Sequence, residues 1–225
     1  MSFENLGISI DPTTVKKPHF VVFDFETGGF SPKKASPTQL AMEIVDRWFT
    51  PIDLYHHRIF PTLPVSPDAA RVNGYSEELW RDTAIPLDQA DDVFYRWVKG
   101  AFPDPAHPPI GICHGSPKVE EWPFDFKFLY AHMPKTASLF SSERWDSCVI
   151  FKDWRDRKPS RWDRVRDPVT GHMVLPNCKL ASLAVLIGEE QEKIHDAFWD
   201  TRIVVRGLKY LMNDTHGEVV PSQSD

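Results

Sequence analysis

The chain has 225 residues, with 26 Lys and Arg against 32 Asp and Glu, a formal charge of −6. That length and a hydrophobic share of 41% fit one ordinary packed domain, and fifteen Phe with eight Trp exclude wholesale disorder. The acidic balance excludes a polycationic nucleic-acid coat protein, but not a nucleic-acid enzyme whose local field differs from the total.

Residues 1–17 read as a loosely held arm. With Glu4, Asp11, Lys16 and Lys17 the amino end lacks the apolar core of a secretory signal. His19 to Phe23 is a run of β-branched and aromatic residues that predicts a buried strand, ended by the turn Thr27-Gly28-Gly29. Gln39 to Phe49 and Leu54 to Phe60 predict two more strands, the latter stopped by Pro61 and Pro64. Residues 76–82 and 87–101 predict helices, the second from Leu87, Ala90, Phe94, Trp97 and Val98 at helical spacing. Pro108 and Pro109 introduce a short strand, Ile110 to His114. Phe124 to Met133 predicts a helix with Pro123 just inside its start, and Arg144 to Val149 a further strand. Residues 152–177 are the least regular part, charged and Trp-containing, with a turn at Asp167 to Gly171. Helices over 178–187 and 196–212 close the domain, and 213–225 is a polar tail. Strands followed by alternating helices and strands predict a mixed α/β sheet with helices on its faces.

No apolar stretch approaches the roughly 20 residues that span a bilayer. Cys113, Cys148 and Cys178 are odd in number and widely spaced, which excludes a disulfide framework and argues against a zinc knuckle. A reduced, cytoplasmic setting is the expectation.

Three segments carry candidate chemistry. In Phe23-Asp24-Phe25-Glu26-Thr27-Gly28, side chains alternate, so Asp24 and Glu26 share one face of the strand. Two adjacent carboxylates at the buried end of a central strand repel each other and lose hydration, and a divalent cation relieves both costs. A strand that has already reached the solvated sheet rim would explain the same pattern. In His195-Asp-Ala-Phe-Trp-Asp200, Asp200 flanks the apolar stripe of Ala197, Val204, Leu208 and Leu211. Five residues turn His195 about 140° from Asp200 on a helix, so His195 is expected in the loop before it, swung over a site Asp200 reaches from below. A solvated His195 with Asp196 as helix cap is the plainer alternative. Asp125, in Trp122-Pro-Phe-Asp125-Phe-Lys-Phe128-Leu, opens a helix, where an acidic residue ordinarily complements the dipole.

Taken together, D-x-E-T-x-G, then F-D-x-x-F-L, then H-D-A-x-x-D resembles the DEDDh 3′→5′ exonucleases of the ribonuclease H-like superfamily. That group includes proofreading exonuclease subunits, exonuclease I and ribonuclease T. The resemblance covers about residues 18–212, and its wording looks like that of standalone bacterial and phage members. Lys179 to Ala184 and Asp146-Ser147 match further family segments. Where the family has H-N-x-x-F-D, this chain has His114-Gly115 and an expanded stretch from Ser116 to Pro123.

The resemblance implies a five-stranded mixed sheet and a site for two Mg²⁺ or Mn²⁺ ions held by Asp24, Glu26, Asp125 and Asp200. Hard cations want oxygen ligands, which agrees. His195 is then the general base, a role suited to the side chain that exchanges protons near neutral pH. The implied activity releases nucleoside monophosphates from the 3′ ends of single-stranded DNA or RNA. Thr27, Gly28, Gly29 and Phe30 are candidates to meet the terminal nucleotide, with Phe30 free to stack on a base. Asn73, in Val72-Asn73-Gly74, resembles the family's pocket lining. Phe124 and Phe128 are further stacking candidates, with core packing the better reading for Phe128. Residues 152–166 hold seven basic against three acidic residues with Trp154 and Trp162 between them, so Arg157, Lys158 and Arg161 are candidates for a single-strand platform. A surface insertion held by local ion pairs fits those residues equally. A silent binding module is the competing class, and the presence of all five catalytic positions argues against it. A polymerase-tethered proofreading subunit is the third, with a tail that is short for tethering.

Overall fold

The structure, a computed structural model, describes residues 17–115, 122–158, 165–166, 172–189 and 195–215. Its centre is β1 (Phe20–Thr27). This strand pairs antiparallel with β2 (Pro37–Val45) and parallel with β5 (Ile110–Cys113). Outward on one side lie β3 (Pro51–Phe60) and β4 (Ile85–Pro86), and on the other β6 (Arg144–Asp146). The sheet order is β4-β3-β2-β1-β5-β6. The sheet thus has six strands rather than the expected five. The sixth is the two-residue β4, which runs parallel to the end of β3 as the chain enters the next helix.

Each face of the sheet carries its own apolar cluster. Val21, Phe23 and Phe25 face α3 (Leu87–Ala101), α4 (Phe124–His132) and α5 (Pro134–Ala137), where Phe94, Val98, Phe126 and Leu129 close over them. Phe20 and Val22 face α6 (Ser147–Arg157), α7 (Leu180–Leu186) and α8 (Ala197–Thr215), against Phe151, Leu183, Val204 and Leu208. β1 is therefore buried on both sides, as its near-continuous apolar run requires.

Besides the four-residue α5, two helices were not expected. α1 (Pro67–Asn73) is capped by the Ser66 side chain at its start and ends at Gly74 with φ 68°. α2 (Glu77–Thr83) is the expected helix at 76–82. The second surprise is α6. Residues 144–149 were expected to be strand throughout and the next segment irregular. Instead the strand stops at Asp146, whose side chain accepts the Cys148 amide and caps a helix over Ser147–Arg157. β7 (Val165–Arg166) and β8 (Met173–Val174) pair antiparallel within the remainder of that segment. Among the described residues no helix is long and apolar enough to cross a membrane, and all three cysteines are unbridged and buried. The amino-terminal arm to residue 16 and the tail beyond 215 lie outside the described residues.

Candidate active site

The carboxyl end of β1 delivers Asp24 and Glu26 to the α8 side of the sheet, as strand alternation demands. Their neighbours across the ladder are Ala41 and Gln39. Asp125 comes from the first turn of α4 and Asp200 from the first turn of α8. All four line one cleft of about 330 Å³, together with His195, His114, Asn73, Phe30 and Phe124. The plainer alternative of a solvated sheet rim does not hold, because Glu26, Asp125 and Asp200 are buried, the last two at 3% and 4% exposure.

Hydrogen bonds fix two of the acids. The Phe25 amide donates to Asp125 Oδ1 at 3.2 Å, tying α4 to β1. The His195 amide donates to Asp200 Oδ2 at 3.1 Å. Asp200 Oδ1 is left buried without a hydrogen-bond partner. His195 sits in the loop before α8 with its side chain exposed, over the acid that reaches up from the helix. Its φ of 77° is a left-handed conformation that few non-glycine residues adopt. Asp196 accepts the amides of Phe198 and Trp199 and so caps α8, as the sequence suggested.

The acids perturb one another strongly. Burial first, and then the charge of Asp196, raises Asp24 to about 7. Burial, followed by the charges of Asp24, Asp200 and Asp125, raises Glu26 to about 9. Burial and Asp24 raise Asp200 to about 9 against the opposing His195 amide. Asp125 is also pushed well up, by burial and then Asp24, with the Phe25 amide opposing. Among the described residues lining the cleft there is no Lys or Arg. A set of oxygen donors without a cationic partner, one of them orphaned, fits a hard divalent cation. The tightest donor set also includes nitrogen: Glu26, His195 and Asp200 each offer a ligand atom within 4.8 Å of the others, and Asp24 and Asp125 do not belong to that trio.

The expected substrate contacts divide. Phe30 is 94% exposed at the mouth and meets Phe124 edge-on at 6.5 Å. The turn beneath it is braced: Thr27 Oγ1 donates to the Gly29 carbonyl, and the Ser66 amide donates to the Gly28 carbonyl at 2.9 Å. A Cβ on Gly28 would stand 3.3 Å from the Pro64 carbonyl oxygen, a tight contact that a side chain could take only if the Pro64-Val65 segment gave way slightly. Asn73 is buried. Its Nδ2 donates to the Thr27 carbonyl at 3.1 Å, so it holds the turn as well as lining the cleft.

Phe128 corrects the sequence reading as a stacking candidate. It is fully buried between Phe124 and His132 and has no free face for a base. Arg157 and Lys158 make the ion pairs that the sequence left open as the alternative to a platform. Arg157 pairs with Asp153 one turn back and Lys158 with Asp214 on α8. They stand at the end of α6, about 15 Å of helix rise from Ser147. Arg161 lies outside the described residues.

Sequence reasoning missed His114. Its Nε2 donates to the Cys178 carbonyl at 3.1 Å, and its Nδ1 lies 2.9 Å from Ser147 Oγ. Burial lowers its pKa to about 4. The ring thus joins β5, α6 and the start of α7 behind the acids. Gly115 beside it donates to Asp146 Oδ1 at 3.0 Å, which leaves no space for a larger residue.

The chain matches no protein-family model and no curated protein sequence. Among solved structures it is similar to E. coli exonuclease I in complex with a dT13 oligonucleotide, with a TM-score of 0.69 and 17% identity. A zinc-bound E. coli exonuclease I–ssDNA complex has a TM-score of 0.66 at 20% identity, and exonuclease I from Methylocaldum szegediense 0.65 at 18%. Each alignment covers 88% of this chain and 41–42% of the other. The chain therefore spans about two fifths of the length of these structures. What is shared at this identity is the fold, and the expected mixed α/β sheet flanked by helices is the one found.

Proposed function

We propose that the chain is a metal-dependent 3′→5′ exonuclease that hydrolyses phosphodiester bonds at the 3′ end of single-stranded DNA. One observation carries the reading: four mutually repelling acids converge on a cleft whose described lining holds no Lys or Arg. Such an arrangement is costly unless cations enter with the substrate. A purely structural role would be served better by apolar residues. The fold-neighbours' complexes with dT13 and ssDNA favour a single DNA strand as the substrate.

Asp24, Glu26, Asp125 and Asp200 would hold two Mg²⁺ or Mn²⁺ ions, which when bound supply an activated water and stabilise the leaving oxygen. The protein's own residues do the rest. Asp125 and Asp200 are locked by backbone amides, so their carboxylates are oriented before substrate arrives. His195, exposed at the mouth, takes the proton released by the attacking water at an imidazole nitrogen. The braced Gly28-Gly29 turn seats the terminal nucleotide, and Phe30 stacks on its base.

A 5′-labelled oligonucleotide incubated with the protein and Mn²⁺ should yield a ladder of products shortened from the 3′ end. EDTA and Asp24→Ala should each abolish it. A wild type that leaves the oligonucleotide intact, or an Asp24→Ala protein that degrades it equally, would overturn the reading. Matched RNA in the same assay fixes the sugar preference.

A further inference from the structure

We propose that Glu26, His195 and Asp200 form a second kind of metal site in the same cleft, one that takes Zn²⁺ through the imidazole and silences His195 as a proton acceptor. The inference rests on the reading of the cleft as a divalent-cation centre and adds how that centre is regulated.

The geometry is specific to this trio. Three ligand atoms, one from each residue, lie within 4.8 Å of one another. In tetrahedral zinc sites, bonds of about 2.0–2.1 Å place ligand atoms roughly 3.4 Å apart. A bound ion would have to draw the three atoms together by up to about 1.4 Å. The donor set is one nitrogen and two carboxylate oxygens, a combination that suits Zn²⁺ and not Mg²⁺, which is held by oxygens.

One feature above all aims these residues at an ion. Asp200 is buried, yet its Oδ1 has no partner, because the His195 amide occupies only Oδ2. The His195 imidazole makes no hydrogen bond among the described residues, and its backbone is held at φ 77° beside Asp200. Here the amide contact keeps the imidazole at the mouth and able to turn inward.

The consequence is a competition between two uses of one lone pair. As a base, His195 must accept a proton. As a zinc ligand, it donates the same electron pair to the metal and cannot. Oxygen-seeking ions leave the imidazole free, whereas zinc engages it.

The test measures binding directly. Zn²⁺ affinity of the full chain is read by competition with a chromophoric chelator, and Mn²⁺ binding by electron paramagnetic resonance. His195→Asn is the variant of choice, since Asn tolerates positive φ and its amide is a poor zinc ligand. Loss of an outer-shell partner already costs about 10–100-fold in metal affinity, so loss of this ligand should weaken Zn²⁺ by at least about tenfold. Mn²⁺ affinity should change little. Circular dichroism confirms the fold, and His195→Gln serves if the first variant is unstable. Equal zinc affinity in wild type and variant would sink the proposal while leaving the cation centre intact. Failure of Mn²⁺ to bind the wild type would remove both. In the Mg²⁺-loaded wild type, one equivalent of Zn²⁺ should halt product formation, and continued turnover at saturating zinc would overturn the silencing.

Discussion

The backbone amide of His195 donates to Asp200 Oδ2 across five residues, from the loop before α8 to its first turn. One carboxylate therefore both orients the exposed imidazole and presents its other, unpartnered oxygen to the cleft.

Removing the charge of Asp200 should separate stability from activity. Asn at this position keeps an oxygen for the His195 amide and, unlike Asp200, needs no proton uptake to sit buried beside Asp24 and Glu26. Asp200→Asn should abolish nuclease activity. It should raise the metal-free Tm by at least about 2–4 °C, the shift that about 1 kcal/mol produces in a chain of this size. Activity and thermal unfolding in EDTA, measured on one preparation, check both.

The same repulsion sets a pH dependence. Glu26 and Asp200 titrate near 9 and Asp24 near 7 in the folded, metal-free protein, against about 4 when unfolded. Between those values the native state binds more protons than the unfolded state. Stability is then greatest at the acid end of the window and falls as pH rises through 7 to 9. Unfolding in EDTA should show a Tm that declines from pH 6.5 to 9. Mn²⁺, by stabilising the ionised acids, should flatten the decline. A metal-free Tm that is level across this range would contradict it.

Phe30 and Phe128 should behave oppositely. Phe30 is almost wholly exposed, so Phe30→Ala should leave unfolding unchanged. It should weaken oligonucleotide binding by the roughly 1–3 kcal/mol of one base stack, read as KM or Kd. Phe128 is core, and Phe128→Ala should cost about 3–5 kcal/mol of stability. The sequence already favoured core packing for Phe128 and stacking for Phe30, and the exposures agree.

The acids were legible because their chemistry is local. Asp24 and Glu26 sit two apart on an apolar strand, and alternation alone puts them on one face. What was illegible depended on tertiary contacts. The left-handed backbone at His195 is imposed by Asp200, and the role of His114 appears only once Ser147 and Cys178 are beside it. α6 did leave a signal: Ser147, Ile150, Phe151 and Trp154 are buried at helical spacing, but the charged residues between them hid it. The two-residue β4 was beyond any periodicity argument.

Arg157 and Lys158 offer a test of the basic segment. Each single-strand phosphate neutralised contributes about −0.7 to the slope of log affinity against log salt. Both side chains are already paired, with Asp153 and Asp214. Arg157→Ala with Lys158→Ala should leave that slope unchanged within experimental error. A slope shallower by one or more would mean that substrate draws these residues out of their ion pairs.

His114 should mark the acid side of the stability profile. Its ring is held neutral between Ser147 Oγ and the Cys178 carbonyl, with its pKa lowered to about 4. In the unfolded chain an imidazole titrates near 6.5. Below that value the unfolded state takes up a proton that the native ring refuses until pH approaches 4. The stabilisation from His114 is therefore intact above pH 6.5 and is lost as pH falls toward 4. The raised acids act in the opposite sense over part of this range, so the wild-type curve alone does not isolate the effect. Comparison with His114→Gln does, because the acids contribute alike to both proteins. The wild type should be the more stable at pH 7.5, and its advantage should shrink steadily from pH 6.5 to 4.5. A constant difference across that interval would show that the ring is not held neutral in the folded state.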